Sequence, residues 1–136
     1  MIGRRCFLAG TLVLAAALVG KSAWAGTYLD RSTLLVAQAT RDADFLRGRL
    51  ADRELARVVH ELAVARLKAA STMQVPAEVA QAHPHLLLLL ENYERAADAA
   101  VEGEGGRFFA YVQRAREETE VFRAVLHQLG WALPKY

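Results

Sequence analysis

The sequence predicts an all-α protein, an antiparallel up-and-down four-helix bundle preceded by a cleavable signal peptide. Four stretches after residue 26 repeat apolar residues at three- and four-residue spacing, which is typical of amphipathic helices. No stretch alternates apolar and polar residues as a half-buried strand does. Most connections between the stretches are short, which favours antiparallel neighbours. With 136 residues, 54% of them hydrophobic, the chain is long enough for one core and one domain.

The N-terminal segment has the three parts of a secretory signal peptide. A basic start at Arg4-Arg5 precedes an apolar stretch of 14 residues, Phe7 to Gly20, and then Ala23-Trp24-Ala25, a small-x-small cleavage pattern. The apolar stretch is shorter than the roughly 20 residues that a spanning helix needs. We therefore expect cleavage after Ala25, which leaves residues 26–136 as the mature domain.

The run Arg4-Arg5-Cys6-Phe7-Leu8 resembles the twin-arginine export motif of bacteria. Gly3 stands where Ser or Thr is usual and Ala9 where Lys is common, so the general secretory route is the alternative. The resemblance implies a periplasmic or secreted protein that is exported folded, in some cases with a cofactor already inserted. After cleavage we expect no membrane association.

The charge of the chain argues against nucleic-acid binding. The formal net charge is +2, but removal of Arg4, Arg5 and Lys21 leaves 14 basic against 15 acidic residues, a net charge of −1. A near-neutral body without a basic stripe lacks the several phosphate contacts that such binding requires. The single cysteine, Cys6, also lies in the removable segment, so we expect no disulfide or thiol chemistry in the mature domain.

The first two helices are predicted over residues 28–47 and 52–70. Gly48 is expected to end the first helix, and Asp52 to cap the second. The apolar stripe of the first helix is Tyr28, Leu35, Ala39, Ala43 and Leu46. That of the second is Leu55, Val58, Val59, Leu62, Arg66 and Ala69, with Ala63 and Ala70 beside it.

A short helix is predicted over residues 76–82, and the two remaining long helices over 84–102 and 107–129. Pro76 and Pro84 are suited to first helical positions, and Gly103, Gly105 and Gly106 to a stop and a tight turn. The inward face of the third helix is Leu86, Leu90, Tyr93, Ala97 and Ala100. That of the fourth is Phe108, Val112, Ala115, Thr119, Phe122, Leu126 and Leu129, and its outer face is expected to pair Arg114 with Glu118 and Arg116 with Glu120.

One acidic residue, Asp42, falls on a predicted core stripe. A buried carboxylate needs a partner, and Tyr93 of the third helix is expected at about the same level of the bundle. We therefore predict a hydrogen bond from the Tyr93 hydroxyl to Asp42 that specifies helix register. Arg66, also on a stripe, is expected to extend its guanidinium to water.

The histidines are the candidate metal ligands. His83 and His85 flank Pro84, and His127 lies near the end of the fourth helix. Imidazoles often bind zinc, but two neighbouring ligands are too few, and His83 and His85 also fit ordinary positions at a helix start. His60 is expected to face solvent. The inward Glu-x-x-His pairs of di-iron bundles and the haem attachment motif are missing from residues 26–136, so we expect no cofactor.

The five-leucine run from Leu86 to Leu90 bears most directly on function. Consecutive helical residues cover the whole circumference, so Leu87 and Leu88 must point toward the polar side. Either residues 76–82 fold back over them, with Val79 as the contact, or a second subunit or partner protein covers them; Trp131 would add aromatic surface. Catalytic motifs are not found, so we expect an exported, non-enzymatic interaction module. The rival interpretation is a metal- or cofactor-binding bundle.

Overall fold

The computed structural model describes the backbone of residues 8–135 and the side chains of residues 25–135. Its helices are α1 (Leu8–Arg47), α2 (Arg53–Thr72), α3 (His83–Val101) and α4 (Gly105–Gln128), with a short 3-10 helix at Ala77–Val79. Residues 8–135 contain no strand, which confirms the predicted fold class. None of the helices searched within these residues has an apolar window suited to crossing a membrane.

The first helix starts earlier than expected. Its backbone is helical from Leu8 through the predicted start near residue 28 and ends at Arg47, as predicted. The predicted signal peptide, including the twin-arginine pair, lies outside the residues with described side chains except for Ala25, its last residue. Cleavage after Ala25 therefore stays a prediction.

The helices alternate in direction around a central α3. Contacts at two levels show that α1 and α3 run parallel, whereas α3 runs antiparallel to both α2 and α4, the arrangement of an up-and-down bundle. The cross-helix contacts include Tyr28–His83 and Thr40–Tyr93 between α1 and α3, His60–Glu94 between α2 and α3, and His85–Glu118 between α3 and α4.

Small residues bring α2 close to α3. Ala56, Ala63 and Ala70 recur every seven residues along α2 and are all buried; Ala63 lies near Ala96 and Ala97 of α3, and the Ala70 backbone bonds to His83 at the start of that helix. Because the distance between packed helices depends on side-chain size, this face allows a close approach. The predicted stripe through Val58 and Leu62 is wrong, since these side chains are 45% and 48% exposed. The alanine face rotates α2 so that its larger side chains turn outward.

The inward faces predicted for α3 and the main part of α4 are confirmed as buried. Leu89 is buried as well, because α3 packs against three helices and therefore buries a wider arc than one stripe. Of the five leucines, only Leu88 is largely exposed, at 43%.

The ends of the helices are capped, and the cap of α4 sets the direction of the C-terminal residues. Asp52 caps α2 as predicted, its Oδ1 accepting from the Leu55 N–H at 2.9 Å. Gly103 and Gly130 have left-handed φ angles of 76° and 88° and end α3 and α4 in Schellman turns. In the second turn the Trp131 N–H donates to the Leu126 carbonyl at 2.9 Å. This turn directs residues 131–135, here called the C-terminal tail, back onto the bundle.

Candidate ligand groove beside the C-terminal tail

The predicted polar core contact is replaced by two others. Asp42 accepts a charged hydrogen bond from Arg66, and the Tyr93 hydroxyl lies 3.3 Å from Thr40 Oγ1. The predicted bond between Tyr93 and Asp42 is therefore wrong. A guanidinium is a stronger partner for a carboxylate than a neutral phenol is. Burial lowers the pKa of Arg66, so this cation depends on its partner.

His83 belongs to a contact between α1 and α3. Its Nδ1 lies 3.0 Å from the Tyr28 hydroxyl, and the two rings meet edge to face with centroids 5.8 Å apart. Burial lowers the pKa of His83, against the effect of a hydrogen bond with the Ala70 backbone. Burial also raises the pKa of Tyr28 to about 12, so the phenol stays protonated at neutral pH. The contact joins two neutral groups and stabilises the packing of α1 on α3.

Two other histidines join neighbouring helices through carboxylates. His60 Nε2 lies 2.8 Å from Glu94 Oε1, and His85 Nδ1 lies 2.5 Å from Glu118 Oε1. The solvent-facing prediction for His60 is therefore wrong. His127 is exposed in the last turn of α4.

The predicted metal ligands do not converge. In the part of the chain with described side chains, no three His, Cys, Asp or Glu residues lie close enough together to hold a metal ion. His83, His85 and His127 therefore do not form a three-ligand site, and the first two instead make the helix contacts described above.

The charge pairs predicted along α4 are also wrong. Glu118 binds His85, and Arg116 donates to Asp44 of α1 at 3.3 Å. Glu120 pairs with Arg123, one turn further along α4, at 3.1 Å. The outer charges of α4 thus contact its neighbouring helices as well as its own surface.

The predicted interaction surface has one largely exposed member. Leu87 and Trp131 are partly buried against the core, whereas Leu88 is exposed. Val79, in the segment between α2 and α3, is fully buried in the core, but Leu88 stays 43% exposed, so the segment does not cover Leu88.

A groove of about 580 Å³ lies between α1 and the C-terminal tail. This volume is within the range of small-molecule sites, roughly 300 to 1,000 Å³. One flank of α1 forms one wall, since residues three or four apart share a helix face, and the turn at Gly130 brings the tail to form the other. The lining residues of this tail groove are Thr33, Val36, Ala37, Thr40, Arg41, Arg123, Leu133, Pro134 and Lys135.

The tail groove combines positive charge with apolar surface. Arg41, Arg123 and Lys135 line it, and no carboxylate from residues 25–135 does so. The Arg123 guanidinium also forms an ion pair with Glu120, an exposed residue that does not line the groove. The hydroxyls of Thr33 and Thr40 donate to carbonyls of their own helix at 2.7 and 2.8 Å, so these donors are already used. The polar recognition available to a ligand is therefore mainly cationic.

The opposite end of the seam between α1 and α4 is closed. Asp44 pairs with Arg116, and the Arg47 guanidinium lies over the Phe109 ring, 5.7 Å from its centroid. The tail groove is thus the open end of this seam. Sequence reasoning missed it because its cations are far apart in the chain, and their meeting depends on the direction of the tail after Gly130.

Comparison of the chain with protein-family models, with curated proteins and with solved structures finds no match. The geometry and charge of the tail groove are therefore the basis for assigning a function.

Proposed function

We propose that this chain is an exported, non-catalytic binding module that holds a small anionic ligand with an apolar part in the tail groove. The observation that carries the proposal is the convergence of Arg41, Arg123 and Lys135 in a groove whose lining includes no carboxylate of the described residues. Arg123 also pairs with Glu120, so an anion bound in the groove would share this guanidinium with that carboxylate.

The arginines favour a carboxylate or a phosphate as the anionic group. A guanidinium presents a planar fork of donors that matches two oxygens of either group, and a lysine adds a mobile point charge. Arg41 and Lys135 approach from opposite walls, α1 and the C-terminal tail. An anion bound between them would also tie the tail to α1.

The remaining lining favours an aliphatic part in the same ligand. Val36 and Ala37 of α1 face Leu133 and Pro134 of the tail across the groove. Each buried methylene contributes about 0.8 kcal/mol, so affinity should rise with chain length until the groove is filled.

Export and the lack of catalysis are part of the proposal on separate grounds. The first 25 residues resemble a twin-arginine signal. His60, His83 and His85, which would be the first candidates for acid–base chemistry, are engaged in contacts between helices. Among the side chains of residues 25–135, no cluster of three metal-ligating residues is present.

Fluorescence titration of the processed chain tests the proposal. Trp131 is the only tryptophan in residues 26–136 and lies in the tail two residues before Leu133 of the groove lining, so its emission reports on changes of the tail when a ligand binds. The probes are decanoate, decyl phosphate, decanol and inorganic phosphate, used below their micelle concentrations. We expect the two anionic amphiphiles to bind at least about tenfold more tightly than decanol or inorganic phosphate, a difference of about 1.4 kcal/mol.

A matched pair of variants separates the groove from overall charge. Lys135→Gln removes a groove cation, and Lys68→Gln removes an exposed cation from α2. Lys135→Gln should weaken decanoate binding several-fold, whereas Lys68→Gln should leave it unchanged. Equal effects of the two variants, or equal binding of decanol and decanoate, would contradict the proposal.

A further inference from the structure

The sequence directly after Ala25 has the pattern of a helix start, although it lies inside α1. Thr27 and Asp30 have the spacing of a capping box, in which a Ser or Thr caps the helix and an acidic or amide side chain three residues later bonds back to it. Both side chains are exposed, so neither is held in place by the core, whereas Tyr28 and Leu29 between them are buried. In the complete helix both Thr27 and Asp30 lie far from its start at Leu8.

Gly26 has no packing role that explains it. Glycine is among the least favourable residues in a helix interior, and it is usually kept where a side chain would clash or where φ is positive. At Gly26 neither condition holds, because an added Cβ would meet no atom within 4 Å and φ lies outside the left-handed region. Gly26 therefore lowers the local stability of the helix one residue before Thr27.

We infer that residues 26–30 form a built-in helix start that takes over when the segment before it is removed. Processing after Ala25 changes Thr27 from an interior residue of α1 to its N-cap, with Asp30 in the first turn, where a negative charge is favourable. The buried core cluster runs from Tyr28 to Leu126 and is retained, and Ala25 is the one buried residue with a described side chain that processing removes. This inference rests on the export that is part of the proposed function.

The substitution Thr27→Ala should have unequal effects in the two forms of the chain. In the full chain Thr27 has a contact of its own, but the higher helix propensity of alanine in a helix interior offsets the loss of that contact, so the change in stability should be small. At an N-cap the same change removes the acceptor for a backbone N–H, which should raise the unfolding equilibrium constant of the processed chain about five-fold. Thr27→Ser keeps a capping hydroxyl and should leave the processed chain near the original stability.

The test compares the processed chain, purified from the exported fraction, with the full chain made by cell-free synthesis without a signal peptidase. Mass spectrometry first locates the mature N-terminus, expected at Gly26. Urea unfolding then measures Thr27→Ala, Thr27→Ser and the control Gln38→Ala, an exposed interior position of α1 in both forms. Amide hydrogen exchange of residues 28–36 provides a second measurement, in which Thr27→Ala should speed exchange in the processed chain alone.

The outcomes separate this inference from the function on which it rests. If Thr27→Ala has the same effect in both forms, the built-in helix start is refuted while export and ligand binding stand. A mature N-terminus at another residue overturns the inference together with the predicted cleavage site. A chain that is processed at Gly26 and is destabilised by Thr27→Ala only in its processed form, but binds no anionic amphiphile, supports the inference and contradicts only the tail groove.

Discussion

The pair formed by Asp42 and Arg66 should respond unequally to removal of its two members. The Arg66 side chain is 10% exposed and the Asp42 side chain 30% exposed, so the carboxylate has much better access to water. Asp42→Ala leaves a nearly buried guanidinium without its carboxylate, whereas Arg66→Met leaves a carboxylate that can hydrate.

The expected magnitudes follow from those exposures. Removing one partner of a fully buried pair costs about 3 to 5 kcal/mol. Because this pair is only partly buried, we expect Asp42→Ala to lower the free energy of unfolding by about 2 kcal/mol. Arg66→Met replaces a charged side chain by an apolar one of similar length and should cost less than about 1 kcal/mol. The double variant should resemble Arg66→Met alone, since the unpaired cation is then absent.

Urea unfolding at neutral pH, followed by circular dichroism, measures all three variants. Asp44→Ala is the control, because its pair with Arg116 is about half exposed on both sides and should contribute less than about 1 kcal/mol. An Arg66→Met chain that is destabilised as much as Asp42→Ala, or more, would refute the reasoning from unequal exposure.

Three further predictions concern helix packing, pH and the tail. Ala63→Leu adds a large side chain to a buried position between α2 and α3, so it should lower the free energy of unfolding by about 1 to 3 kcal/mol. Val64→Leu, at an exposed position, is the control and should change that free energy by no more than about 0.5 kcal/mol in the same unfolding assay. Because burial lowers the pKa of folded His83, its contribution to stability is fully present above about pH 6.5 and is lost as the pH falls, by at most about 1.4 kcal/mol per pH unit. Stability measured between pH 5 and 8 should therefore fall less steeply toward acid in His83→Gln, and parallel profiles would contradict this. Gly130→Ala forces a side chain into a left-handed conformation with φ of 88°, which should cost about 1 kcal/mol and, by displacing the tail, weaken decanoate binding in the titration.

Most of the fold was predictable because helix periodicity is a local property of the sequence. The stripes of α3 and α4 were predicted correctly, since their large apolar residues all fall on one face. The face of α2 was predicted wrongly because Val58 and Leu62 are more hydrophobic than the alanines that are buried instead. Alanines are buried in preference to larger residues where a second helix packs closely, and the pattern of one helix does not show where its neighbour lies.

The polar contacts were less predictable for a related reason. Whether Asp42 binds Tyr93 or Arg66 depends on side-chain reach across three helices, and periodicity gives only the level along each axis. The tail groove depends on residues separated by more than 80 positions, Arg41 and Arg123, and on a turn at Gly130 that determines where the tail lies. The sequence signal for that turn was the glycine itself.

Chemical-shift mapping of the processed chain with decanoate locates the bound ligand. If decanoate binds in the tail groove, the backbone amides that line it, above all Ala37, Arg41 and Leu133, shift with one saturating dissociation constant. Shifts concentrated instead around Leu88 or the exposed Val58 and Leu62 of α2, or no saturable shifts at all, would show that the tail groove is not the binding site.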